Sequence, residues 1–156
     1  MQTVEHLRHL YSYNDWANRR LIVALKNLNA ADAPLKLLAH VLTTEQEYYG
    51  RFYGKDSTGF NFWPELTLED CGALCRENAA NFEKLLRRFD DEGLDLYVKY
   101  RTSTGQAKEN SFRELLTHIL FHSATHRVNI IVKIREAGGE PPPIDYVVYL
   151  RETVYI

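Results

Sequence analysis

Apolar residues recur at three- and four-residue steps in four long stretches, the period of one face of an α-helix. The first stretch runs from Thr3, placed to serve as N-cap, to about Leu28. Leu7, Leu10, Tyr11, Ala17, Leu21, Leu25 and Leu28 make its stripe, and Asn14 falls on the same stripe. A polar side chain on a buried face must find a partner. Asn14 therefore points to an interhelical hydrogen bond or to a central polar pocket. His6 and His9 flank the solvated start of this helix. A short connection covers Asn29 to Ala33, with Asp32 placed to cap and Pro34 in the next turn. The second helix extends to Phe52 or Tyr53 and carries Leu38, Val41, Leu42, Glu45, Tyr48, Tyr49 and Phe52 inward. His40 lies on its flank, on the side of Leu37 and Thr44.

The pattern breaks between Gly50 and Pro64, where Gly54, Asp56-Ser57-Thr58-Gly59 and Trp63-Pro64 are loop chemistry. Phe60, Phe62 and Trp63 make this loop aromatic enough to roof the core or to cover the mouth of a pocket; the roof is the expectation. Thr67 caps a third helix whose stripe is Leu68, Cys71, Cys75, Asn78, Phe82, Leu85 and Phe89. Gly93 is expected as its left-handed terminator. Leu96 to Thr102 is rich in β-branched and aromatic residues, Ser103-Thr104-Gly105 is a turn, and Gln106 to Glu109 returns as a second short strand. Ser111-Phe112-Arg113-Glu114 is a capping box opening the fourth helix, which Gly138-Gly139 ends. Its apolar arc comprises Phe112, Leu115, Leu116, Ile119, Leu120, Ile130, Ile131 and Ile134. Pro141-Pro142-Pro143 is a stiff spacer before Asp145 to Leu150, a short helix or extended segment packing back on the bundle.

With 156 residues the chain has the size of one domain, large enough to bury a core without disulfides. The residues are 45% hydrophobic and 26% charged, the make-up of a soluble globular protein, and no internal repeat is visible. A formal charge of -2 gives no electrostatic footprint for nucleic acid. No apolar run approaches the roughly 20 residues of a membrane span. The N-terminal residues lack the form of a signal peptide, so the cytoplasm is the expected compartment. Cys71 and Cys75 lie one turn apart on an apolar stripe and read as buried thiols rather than a disulfide.

The chemistry concentrates in the fourth helix. His118, His122 and His126 succeed one another at four-residue steps, which stacks them on one flank. Neutral imidazole is the commonest protein metal ligand, and a His-x-x-x-His pair can grip one ion. Polar edge residues show the same spacing. On a helical wheel His126 lies within the edge of the apolar arc, His122 just outside it and His118 further out. His122 and His126 would therefore face the bundle interior near one side, as a site between helices requires. Arg127 falls on the apolar side and needs an anionic or carbonyl partner, from an acid at a dimer contact or from an anionic group of a substrate.

Four stretches together resemble the DinB superfamily, small four-helix proteins with a divalent metal site. They are Tyr13-Asn14-Asp15-Trp16-Ala17-Asn18, Leu37-Leu38-Ala39-His40-Val41-Leu42 with Glu45, the run from His118 to Arg127, and the closing Asp145-Tyr146 with Tyr149-Leu150-Arg151. The resemblance spans nearly the whole chain and implies an all-α fold, a four-helix bundle with a small β-hairpin before the last long helix. It implies metal ligands at His40, His122 and His126, with His118 left to support the ligands or stay free. The family run His-Arg-Gly-Gln is here His126-Arg127-Val128-Asn129. Val128 removes a close-packing glycine and changes the helix surface without removing a ligand. Three imidazoles leave a coordination position open, and they suit Zn, Ni or Fe as the divalent cofactor. The resemblance further implies a homodimer acting on a small molecule through a metal-activated low-molecular-weight thiol or water, as in thiol S-transferases or hydrolases. Asn14 and Arg127 would contact the substrate. The alternative is a non-catalytic metal-binding stress protein.

Overall fold

The computed structural model describes residues 3–28 and 32–153. Four long helices, α1 (Val4–Lys26), α2 (Asp32–Arg51), α3 (Leu68–Leu86) and α4 (Phe112–Glu136), form the bundle, and a short α5 (Tyr146–Thr153) closes the described chain. The apolar stripes set the neighbours: α2 packs on α4 and on α3, α1 packs on α3 and on α4, and α1 and α2 face each other across the diagonal. Among the described residues no helix is long and apolar enough to cross a membrane.

Caps place the helix starts. Thr3 Oγ1 accepts from the His6 amide, and Thr67 and Ser111 each complete a reciprocal capping box with Asp70 and Glu114. The ends depart from expectation at α3. This helix stops at Leu86, before Phe89, and Gly93 does not terminate it in a left-handed conformation. Gly93 instead opens a 3-10 turn over Gly93–Asp95, with its amide donating to Asp90 Oδ1. The acidic run beyond the helix has no favourable interaction with the negative helix end, so the chain turns early. Gly138, at φ +83°, stops α4 as expected. Asp32 is the first residue of α2 rather than the residue before it, and the connection at 29–31 lies outside the described residues.

Strands β1 (Tyr97–Arg101) and β2 (Ala107–Ser111) pair antiparallel, Tyr97 opposite Ser111 and Arg101 opposite Ala107. The second strand begins and ends later than the sequence suggests, because Ser111 serves both as its last residue and as the cap of α4. Two strands alone are marginal in water, and Val98 and Tyr100 lean on the helical core.

That core is split in two. One apolar cluster gathers Leu21, Leu38, Leu42, Ile130 and Ile134; the other gathers Leu7, Tyr11, Phe82, Leu116 and Ile119. Each fully buried leucine or isoleucine contributes about 1.5–3 kcal/mol. Between the clusters every long helix turns polar side chains inward: Asn14 and Asn18, Glu45, Asn78, and Ser123 with Arg127, none more than 4% exposed. Cys71 and Cys75 sit in the first cluster as free thiols, and burial pushes the Cys71 thiol up to about 11. They are packing residues, as expected.

Candidate metal centre

Two polar clusters arise on the α2–α4 contact from interleaved residues. Each residue turns an α-helix by about 100°. Ser123 and Arg127 therefore aim at the bundle axis, while His122 and His126, one position earlier each, aim at the rim. On α2, Glu45 and His40 divide in the same way.

The inward cluster is a hydrogen-bonded network, with Asn78 Oδ1 left over. Arg127 Nη1 donates to Asn14 Oδ1 at 2.6 Å and to Asn18 Oδ1 at 3.0 Å. The same two amides donate through Nδ2 to Glu45 Oε1, at 2.7 and 3.1 Å, and Ser123 Oγ donates to that oxygen at 2.8 Å. Asn78 Nδ2 donates to the Leu42 carbonyl at 2.9 Å and more distantly to Glu45 Oε2. The amide orientations are fixed by chemistry, since guanidinium only donates and carboxylate only accepts. Asn14 and Asn18 thus relay a buried cation to a buried anion. Burial pushes the Glu45 carboxyl up, against the pull of Asn14, Ser123, Arg127 and Asn18. Burial likewise lowers Arg127, opposed by Tyr13 and Glu45. Asn14 makes the interhelical hydrogen bond expected of it, and Arg127 finds its carboxylate within the same chain. Asn18 and Ser123 complete this network without standing out in the sequence; the one available signal is Asn18, one turn beyond Asn14.

The rim cluster is open. One ring nitrogen from each of His40, His122 and His126 lies within 4.8 Å of the others. His40 Nε2 and His122 Nε2 are 3.2 Å apart. Two ligands bonded to one zinc ion at about 2.0–2.1 Å place their nitrogens about 3–4 Å apart, so the spacing fits. The His40 tautomer is set from its other side. Nδ1 lies 2.7 Å from the Phe62 carbonyl oxygen, which only accepts, so Nδ1 carries the proton and Nε2 presents a bare lone pair to the cluster. His122 Nδ1 and His126 Nδ1 are sealed from solvent and have no partner among the described residues. A cation would satisfy the nitrogens that converge, which on His40 and His122 are the Nε2 atoms.

The electrostatics agree. Burial, with the charges His126, His40 and His118 would carry, drops His122 from the ordinary 6.5 to about 4. Burial also lowers His40 and His126. Each shift favours the neutral ring, the state a metal needs. His118 stays outside the group; its ring is 6.0 Å from that of His122 and 5.2 Å from Tyr48.

The aromatic loop sits over the histidines rather than over the apolar core. Trp63 stacks flat on His40, ring centres 3.7 Å apart and planes within 2°, while remaining 45% exposed. Its ring centre is 6.2 Å from that of His126. Phe62 contributes its backbone, not its ring, to the site. The loop's aromatic density is the only sequence sign of this role.

Known proteins share this fold. A crystal structure of a DinB-like protein from Bacillus cereus ATCC 10987 superposes with a TM-score of 0.71 at 16% identity, covering 91% of this chain and 97% of that one, a likeness of fold. Protein DinB of Bacillus subtilis (strain 168) is 27% identical over 157 residues, covering 90% of this chain and 91% of the relative. The sequence model of the DinB family matches residues 1–155, and the chain belongs to that family.

Proposed function

We propose that the protein holds one divalent transition metal ion, Zn, Ni or Fe, on His40, His122 and His126, and that it is a metal-dependent enzyme of the thiol S-transferase or hydrolase type. The observation that carries this reading is the convergence of three imidazoles, one of them with its tautomer fixed for ligation. A metal with three protein ligands keeps a position free and lowers the pKa of a thiol or water bound there toward neutral. The protein's own part is positional. The Phe62 carbonyl holds the His40 proton on Nδ1, the Trp63 ring screens one face of His40 from water, and helix α4 presents the other two rings one turn apart. His118 lies beside His122 on α4, with the Tyr48 ring of α2 against it.

The test is elemental analysis of purified protein, then thiol consumption with a model electrophile in metal-loaded and metal-free samples. About one ion per chain and metal-dependent consumption are expected. A protein that takes up neither Zn, Ni nor Fe overturns the reading. The second reading, a non-catalytic metal-holding role, is favoured by Trp63 lying directly on a ligand ring; bound metal without thiol consumption selects it. A homodimer through α4 completes the proposal. Phe121, Val128 and Val132 are 70%, 60% and 43% exposed and share one outward stripe of that helix. Phe121→Asp with Val128→Asp should convert a dimer to a monomer in sedimentation velocity, and a wild-type monomer rejects this part.

A further inference from the structure

A second charged side chain lies buried near the histidines, and no acid among the described residues neutralises it. Arg51, on the last turn of α2, is 4% exposed. Its Nε donates to Ser57 Oγ at 3.1 Å. Its guanidinium carbon stands 4.4 Å from the Tyr48 ring, 5.0 Å from Tyr100 and 5.7 Å from Phe62. The buried acid one turn back, Glu47, gives Oε2 to Lys55 at 2.6 Å, and neither of its oxygens reaches Arg51 within ion-pair distance. The terminal nitrogens of Arg51 show no hydrogen bond to the described residues. Arg127 shows the contrast, with its charge answered by Asn14, Asn18 and Glu45. Cation–π contacts offset only about 0.5–2 kcal/mol each and leave the hydrogen-bonding edge of the fork empty. That edge matches an oxyanion in bidentate fashion.

The position relates this edge to the metal centre. His40, Thr44, Tyr48 and Arg51 succeed one another along one face of α2, and long side chains on a helix lean back toward its N-terminus, here toward Tyr48 and the histidines. Tyr48 contacts both Arg51 and His118, and His118 is the neighbour of His122 on α4. Thr44, between His40 and Tyr48, keeps a sealed hydroxyl with no partner among the described residues. Phe62 joins the two ends a second time, its ring beside Arg51 and its carbonyl on His40.

We infer that Arg51 binds a carboxylate or phosphate group carried by the small molecule whose other end reaches the metal, so that the site takes anionic molecules long enough to span from His122 past His118 to Tyr48. This rests on the metal reading above, and the experiment separates the two. Protein loaded with Co(II) is titrated with ω-mercaptocarboxylates of increasing chain length, from mercaptopropionate to mercaptoundecanoate, and with the matching ω-mercaptoalcohols. The Co(II)–thiolate absorption band reports binding. The acids are expected to bind about tenfold more tightly than the alcohols once the chain is long enough, the scale of a hydrogen-bonded charge. Arg51→Gln should remove that advantage and leave Co(II) content and alcohol affinity unchanged; Arg51→Lys, which keeps the charge and loses the fork, should fall between. Acids no better than alcohols at every length, or an acid advantage that survives in Arg51→Gln, overturns the inference. If wild-type protein takes up no Co(II), the metal reading falls. The arginine is then judged on metal-free protein by whether inorganic phosphate raises Tm above a chloride control in wild type and not in Arg51→Gln. No such rise overturns it there too.

Discussion

The Glu45–Arg127 network and the histidine cluster share two helices, lie within one turn of each other, and are built on opposite terms. In the network donors face acceptors: Arg127 Nη1 meets two amide oxygens, and two amides and a hydroxyl meet one carboxylate oxygen. In the cluster, nitrogens meet nitrogens, and two ring atoms are buried without partners. The first arrangement specifies how four helices assemble. The second brings together three side chains that could hold one metal ion. In the first, donors are set against acceptors across four helices; in the second, like groups converge on one point.

If this division is right, mutations on the two sides fail differently. Glu45→Ala should have the largest effect, a loss of about 3–5 kcal/mol in chemical denaturation, because it strands a buried guanidinium. Combining Glu45→Met with Arg127→Met should recover most of that loss. A single variant costing under about 1 kcal/mol would mean the network contributes nothing beyond packing. His122→Ala should abolish metal uptake by elemental analysis while moving the midpoint of unfolding little, the reverse pattern. Unchanged metal content would reject the ligand set.

Acid should act on the cluster next. A histidine whose folded pKa lies below its unfolded one binds fewer protons folded than unfolded across the interval between them. Stability is therefore full above the unfolded value of 6.5 and is lost as pH falls toward the folded value of about 4 for His122. Metal-free protein should show this slope in thermal melts between those values, and His122→Asn should flatten it; an equal slope in both would place the titration elsewhere. The smallest effect is expected for Trp63→Ala. The lost stacking is worth about 0.5–1.5 kcal/mol, and His40 keeps its Phe62 carbonyl. With only two tryptophans in the chain, quenching of Trp63 fluorescence on Co(II) addition should report metal arrival, and its persistence in Trp63→Phe would assign the signal to Trp16 instead.

The bundle is legible in the chain because it is written in periodicity. Stripes such as Leu7, Tyr11, Leu21 and Leu25, and the boxes at Thr67 and Ser111, are local properties of the chain. Where the end of an element depends on the packing of the next segment, as at Phe89 and Gly93, local pattern misleads. His122 and His126 are legible as a pair because one helix carries both. His40 on its own resembles any polar flank residue, and only the family resemblance singles it out. The fate of Arg127 cannot be read at all from its neighbours in sequence. Its counter-charge is Glu45 on another helix, reached through Asn14 and Asn18 on a third. Likewise Phe62 matters through a carbonyl, a group every residue possesses and no sequence pattern marks.

The interleaving of residues 122 and 126 with 123 and 127 also constrains how such a protein can diverge. Inserting one residue in α4 ahead of them would rotate the histidines onto the bundle axis and the arginine out to the exposed position of Val128, and deleting one would move the arginine to the rim and the histidines out to the exposed positions of Phe121 and Thr125, damaging fold and site together. Substitution is under no such bond. A rim position can trade imidazole for carboxylate, and so change what the rim can bind, while the axis beneath it keeps the helices assembled. In this helix a replacement at the rim leaves the axis in place, whereas slippage moves both at once.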